Sequence, residues 1–246
     1  MNYDNELKSY INENLSNHFN KLITVKDTDK SKIYIFEHKK NSKKILQRIS
    51  KNRNDDVFRE LMKIKNDKLV NILEVCSDDD NLIVLEEYID GTNLYEILQK
   101  GNLDKKTALK YTSDICDALI VLHKNGIIHR DIKPENIIIA DNDNAVLIDF
   151  SIARKISNDN KSDTTNLGTI GYAAPEQYGI MQSNKTTDIY SLGVLLNIML
   201  TGEHPAVTVP SGLIKNIISK ATSTQISKRY QSARQMKKDL IILPYF

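Results

Sequence analysis

The chain of 246 residues carries 34 Lys and Arg against 32 Asp and Glu, with 40% hydrophobic and 27% charged residues. A net charge of +2 sets up no broad field for drawing in nucleic acid or an anionic membrane, and no apolar run reaches the roughly 18 residues of a spanning helix. The composition supports a full hydrophobic core. No basic stretch followed by an apolar core opens the sequence as a leader would, and the terminal LIILPYF is too short to span. Cys76 and Cys116 sit in the apolar contexts EVCSD and SDICDAL and fit no metal-ligand spacing, so the expectation is a cytoplasmic protein with reduced, buried thiols.

Up to about residue 85 the segments are short and alternating, as in KIYIFEH, KILQRI and NLIVLEEY, with polar turns between them. That pattern predicts an antiparallel sheet. In KILQRI, Gln47 points the same way as Ile45 and Ile49 because a strand alternates faces with period two, which puts an uncharged amide under apolar cover. DDVFRELMKIK places Val57, Leu61 and Ile64 at helical spacing, so one short helix is expected within the sheet region. Residues 86–92 read as a link. Beyond them helical periodicity takes over in NLYEILQK, in KKTALKYTSDICDALIVLHKNG with its glycine stop, in TTDIYSLGVLLNIMLTG and in KKDLIIL. The polar NDNKSDTTN at 158–166 reads as a loop.

The chemistry gathers between 129 and 149. IIHRDIKPENIII carries Asp131, Lys133 and Asn136 on a loop between apolar runs, and VLIDF ends on Asp149 and Phe150. Any one of these alone reads as a solvated turn residue. Together they supply what phosphoryl transfer needs: a carboxylate near the attacking hydroxyl, a cation for the transferred phosphate, and oxygen ligands for magnesium.

HRDIKPEN, followed by DF and then by GTIGYAAPEQ, closely resembles the catalytic loop, metal-binding segment and activation-segment end of the eukaryotic-type (Hanks-type) Ser/Thr protein kinases, here in a bacterial-like form with a degenerate upper lobe. The resemblance implies an α+β, bilobal fold with a small antiparallel sheet lobe over about 15–87 and a larger helical lobe over about 88–243. It implies ATP and magnesium as cofactors and a protein hydroxyl as acceptor, on another protein or on the chain itself by autophosphorylation. Asp131 would be the catalytic base, Lys133 the phosphate contact, Asn136 and Asp149 the metal ligands, and Ile33 with the Glu87 to Ile89 hinge the adenine surroundings. Thr169 would seat the peptide beside Asp131 and Lys133. Glu176 and Arg229 would form a structural ion pair, with Asp188 in DIYSLG opening the helix after the activation segment. A phosphate on Thr164 or Thr165, in the polar stretch that also carries Ser162, would be met by Arg130 as a phosphorylation-dependent control.

Three departures stand beside the resemblance. Aligning KKILQRIS on the third strand puts Gln47 where the family has a lysine that bridges the nucleotide phosphates and a helical glutamate, for which Glu60 and Asp56 are both candidates. LITVKDTDKSKI contains no glycine where the family uses three to bring backbone amides to the phosphates. Ser151 replaces the glycine after Asp149 and Phe150. The expected function is a Ser/Thr protein kinase with weakened nucleotide anchoring, with a pseudokinase that acts as a binding or scaffolding module as the alternative.

Overall fold

A computed structural model of the chain describes residues 3–51, 54–78, 80–156, 168–178 and 182–243. The chain divides into two compact units, one of Met1–Asn66 with Val70–Ile89 and one of Asp67–Leu69 with Asp90–Phe246.

The first unit opens with helix α1 (Tyr3–His18), to which the sequence reading assigned no element. Leu7, Ile11 and Leu15 recur every fourth residue and so share one helix face. That face packs on Cys76 and Ile83, with Phe36, Ile45, Ile49 and Leu85 around them. Lys8 adds an ion pair to Asp78. Strands β1 (Phe19–Asp27), β2 (Ser31–His38) and β3 (Lys44–Ser50) follow, then helix α2 (Asp55–Leu61), then β4 (Ile72–Ser77) and β5 (Leu82–Glu87). The strands form one antiparallel sheet in the order β1-β2-β3-β5-β4.

The register sorts the side chains of this sheet into two sets, because residues directly opposite each other in an antiparallel pair point to the same face. Tyr34, Gln47 and Leu85 lie in one row, between the rows of Phe36 with Ile45 and of Ile49 with Ile83, and this face meets α1. Ile33, Arg48 and Val84 lie in another row and point the opposite way, as do Leu46 and Glu86. Helix α2 also packs against β4, and its buried Val57, Phe58 and Leu61 are no part of the α1 cluster. The face of Val75, Val84 and Arg48 is therefore the one left for α2.

In the second unit β6 (Gly91–Asn93), α3 (Leu94–Leu98), α4 (Lys105–Lys124), β7 (Ile127–Ile128), β8 (Ile137–Ala140), β9 (Ala145–Leu147) and β10 (Arg154–Lys155) precede α5 (Lys185–Thr201), α6 (Leu213–Ala221) and α7 (Ala233–Ile241). The short strands pair as β6-β8-β9 and as β7 with β10, which holds the intervening loops in place. Helix starts are fixed by side chains that accept otherwise unpaired amides: Asp104 takes the Thr107 amide, and Asn184 forms a reciprocal capping box with Thr187. Helix α5 is buried along most of its length. Gly193 permits this, since a Cβ there would lie 2.6 Å from that of Ala221 on α6.

Gln47 is 5% exposed under α1, and no described residue hydrogen-bonds its amide. Its amide is not among the fully buried atoms left without a partner, so it keeps a sliver of solvent contact and bears only part of the roughly 1–3 kcal/mol that an orphaned buried amide costs. Gln47→Met should therefore raise the urea midpoint by the equivalent of about 1 kcal/mol, whereas Gln47→Lys should lower it by burying an unpaired charge. A midpoint raised by Gln47→Lys would overturn this assignment of the two faces.

Candidate active site

The loop between β7 and β8 is held from below by one carboxylate. Asp188, in the first turn of α5 and fully buried, accepts the backbone amides of His129 at 3.0 Å and Arg130 at 2.8 Å and meets His123 Nε2 at 2.8 Å. Arg130 adopts a left-handed φ of 72°, which turns the chain so that Asp131 follows on the far side. Its carbonyl accepts from Gln177 Nε2 at 2.8 Å. His129 Nδ1 accepts the Asp131 amide at 3.3 Å, so its Nε2 is the protonated nitrogen that donates to the Ile148 carbonyl at 3.1 Å. The ring also meets Phe150 edge-on with centroids 5.0 Å apart.

The Asp131 carboxylate is bound at both oxygens. Oδ1 accepts from the Thr169 hydroxyl at 2.7 Å; Oδ2 accepts from Asn136 Nδ2 at 2.9 Å and pairs with Lys133 Nζ at 2.9 Å. Lys133 also donates to Thr169 Oγ1 at 2.7 Å, which closes a triangle of Asp131, Lys133 and Thr169. Asn136 spends its Nδ2 on Asp131, on the backbone carbonyl as well as on Oδ2, and no described residue donates to its Oδ1. Its neighbour in the ladder is the segment of Asp149, since the Ile148 amide donates to the Asn136 carbonyl at 2.9 Å. Asp149 has a left-handed φ of 60°, and its Oδ1 accepts the Ser151 amide at 3.1 Å. Asn136 and Asp149 thus offer hard oxygens from adjacent backbone segments, a donor set that fits magnesium.

Glu176 is gripped by Arg229 through two bonds of 2.6 and 2.8 Å, with side-chain exposures of 2% and 0%. The Thr187 hydroxyl donates to the same carboxylate at 2.9 Å, and Arg229 Nε donates to the Ser223 carbonyl at 2.7 Å. Burial alone would raise the Glu176 carboxyl, but the Arg229 donors outweigh it and hold the group below the usual glutamate range. In Asp188 burial is likewise outweighed, here by His123 and the backbone amides, and the carboxyl is lowered.

The family model for the protein kinase domain matches residues 18–243. The chain belongs to the protein kinase family. Curated relatives include the serine/threonine-protein kinase PknB of Mycobacterium tuberculosis (strain ATCC 25618 / H37Rv), 36% identical over 182 residues, which are 63% of this chain and 29% of the relative. The serine/threonine-protein kinase PrkC of Bacillus subtilis (strain 168) is 36% identical over 179 residues, 63% of this chain and 28% of the relative. A probable KIN1 homolog of Enterocytozoon bieneusi is 43% identical over 121 residues, 48% of this chain and 20% of the relative. The kinase chain thus spans less than a third of the length of these relatives.

In the first unit the expected nucleotide residues do not share a face. Ile33 stands opposite Arg48, whereas Gln47 stands opposite Tyr34 and points at α1. By this register Gln47, expected among the nucleotide contacts, lies on the face opposite to that of Ile33; aligned one residue further along, ILQR carries Arg48 on the Ile33 face. Arg48 forms a buried pair with Glu86, Nε to Oε1 at 3.1 Å and exposures of 8% and 4%. Glu86 was missed, although a charge inside LIVLEEY followed by another offered the signal. Glu87 ends β5 opposite Ile45 and is exposed, and Ile89 is half-buried. On α2, Glu60 is half-buried and bonded by Lys63 at 3.3 Å, while Asp56 is exposed. The glycine-free hairpin tip is closed on itself, since the Thr28 amide donates to the Ser31 carbonyl and the Ser31 amide to Thr28 Oγ1. Ser162, Thr164 and Thr165 lie outside the described residues.

A carboxyl lowered in the folded state contributes stability that is present above its unfolded pKa, near 4, and is lost as pH falls through the lower folded value. Calorimetry should therefore show a melting temperature that is level above about pH 5 and declines steadily below about pH 4. Glu176→Gln should flatten part of that decline and, by leaving Arg229 buried without its charge partner, lower stability at pH 7 by about 3–5 kcal/mol. An unchanged acid limb in Glu176→Gln would remove Glu176 from the account.

Proposed function

We propose that the chain is a Ser/Thr protein kinase that transfers the γ-phosphoryl group of ATP to a protein hydroxyl. The observation that carries this is the Asp131, Lys133 and Thr169 triangle, which fixes a carboxylate by both oxygens while Oδ1, with a single donor, keeps a further lone pair for an incoming hydroxyl. Asp131 orients that hydroxyl and takes its proton as the new P–O bond forms. Lys133, already 2.9 Å from Asp131, faces the transferred phosphoryl charge, and Thr169 sets the spacing between base and cation. Asn136 Oδ1 and Asp149 are the residues that would hold magnesium; when bound, the ion neutralises charge on the nucleotide phosphates. Phosphoryl transfer is mostly positioning and charge stabilisation, so these residues suffice for the chemistry once the nucleotide is held.

For nucleotide anchoring we assign Arg48, rather than Gln47, as the cation of the third strand, with Ile33 on the same face and the Glu87 to Ile89 backbone at the adenine. The self-bonded hairpin tip supports weak phosphate cover, because the Thr28 and Ser31 amides are already spent. That tip also favours a second reading, a pseudokinase that binds without turnover. Control is proposed to run through phosphate on Thr164 or Thr165, whose charge would be met by Arg130. The buried thiols of Cys76 and Cys116 suit a reducing, cytoplasmic setting.

With labelled ATP and magnesium, wild-type chain should phosphorylate itself or a generic protein substrate. Asp131→Asn should cut the rate by at least about 100-fold with unchanged circular dichroism. Arg48→Met should weaken ATP binding by calorimetry while Gln47→Met leaves it unchanged. ATP binding without any transfer would favour the pseudokinase, and equal effects of the two methionine variants would remove Arg48 from the phosphate site.

A further inference from the structure

Away from the catalytic loop, the second unit contains an open cavity of about 230 Å³ where the end of α4, the start of α5 and the start of α7 converge. Cavities of about 150 Å³ take up a benzene-sized group, so this one has room for an aliphatic or aromatic side chain. Its wall is apolar at Ile120 and Ala233 and is completed by the His123 ring and by Ser232. Three cations, one from each helix, also line it: Lys124, Lys185 and Arg234.

None of these three cations forms an ion pair with a described residue, and the acids on the same helices are engaged elsewhere. Asp114 and Asp117 on α4 are paired with Lys110 and Lys237. Asp188 on α5 is bound by His123 and two backbone amides. Asp239 on α7 accepts from the Tyr230 hydroxyl and lies 3.8 Å from Lys220. Ser232 Oγ caps α7 by accepting the Gln235 amide, which leaves the hydroxyl proton and the amides of Ala233 and Arg234 without a described acceptor. An apolar hollow is thus surrounded by positive charge and by donors, with no carboxylate among its described lining residues.

We propose that this cavity is a docking site for an acidic protein segment that places one apolar side chain against Ile120 and Ala233 and its flanking carboxylates on Lys124, Lys185 and Arg234. The apolar anchor supplies the burial, and the surrounding cations select charge sign and set the association rate. Recognition here is independent of catalysis, because none of the contacting groups belongs to the catalytic loop. His123 connects the two regions through its bond to Asp188.

The test is fluorescence anisotropy with a labelled peptide of about a dozen residues, rich in Asp and Glu around a Leu-Phe pair, added to the whole chain without nucleotide. Saturable binding is expected, weakened at least tenfold by Lys124→Glu with Arg234→Glu and also by raising salt, which screens exposed charges. Both positions are exposed, so melting curves should stay at the wild-type temperature. Each single variant should show a smaller loss in the same direction. A peptide with Leu-Phe changed to Ser-Ser should bind at least tenfold more weakly. Equal binding by the double variant, equal binding by the serine peptide, binding of a Lys-rich peptide in its place, or full displacement by inorganic phosphate at matched charge would each overturn the proposal.

Discussion

A single buried carboxylate, Asp188, sets the shape of the loop on which the proposed chemistry depends. By accepting two consecutive backbone amides it obliges Arg130 to carry a positive φ, and that inversion delivers Asp131 to Thr169 and Asn136. A non-glycine residue in the left-handed region costs on the order of 1–3 kcal/mol, so the turn persists only because it is over-determined. Asp188 binds it from α5, Gln177 holds the Arg130 carbonyl, and His129 locks the following amide. The Glu176 and Arg229 pair fastens the segment that contains Gln177 to the same end of α5 through Thr186 and Thr187. Precision at Asp131 is thus built by charges lying behind the loop.

The helical half was legible because its motifs are local. HRDIKPEN, DF and YAAPEQ each lie within a few residues, and contacts such as Asn136 to Asp131 span one turn of chain. Glu176 and Arg229 stand 53 residues apart and could be joined only through the family pattern, since periodicity holds no information on long-range pairing. Helix α1 was legible as well, in Leu7, Ile11 and Leu15 at four-residue spacing, but its polar remainder hid it behind the strand signals that follow. The Asp188 amide bonds had no sequence signature beyond the family motif, because a carboxylate that caps a distant loop looks like any first-turn aspartate.

The strand β3 shows a different limit. Period two was right about Gln47: it does share cover with Ile45 and Ile49. What alternation cannot supply is the identity of each face, and a one-residue shift in alignment exchanges the whole set. The pairing of Ile33 with Arg48 and of Tyr34 with Gln47 decides it. On the assignment of Arg48 proposed above, the apparent loss of a cation would be the exchange of one cation for another. Arg48 differs from a lysine in its planar fork, and its Nε holds Glu86, a strand carboxylate.

Helix α1 lies almost wholly before residue 18, where the kinase family match begins. A chain trimmed to that boundary would strip the cover from Ile83, Leu85 and Ile49 and present a water-facing apolar sheet. It would also bare the Cys76 thiol, now at 0% exposure, to oxidants and alkylating reagents. Accelerated labelling of that thiol would then report the helix lifting away, which makes Cys76 a built-in chemical reporter for the cover of the sheet.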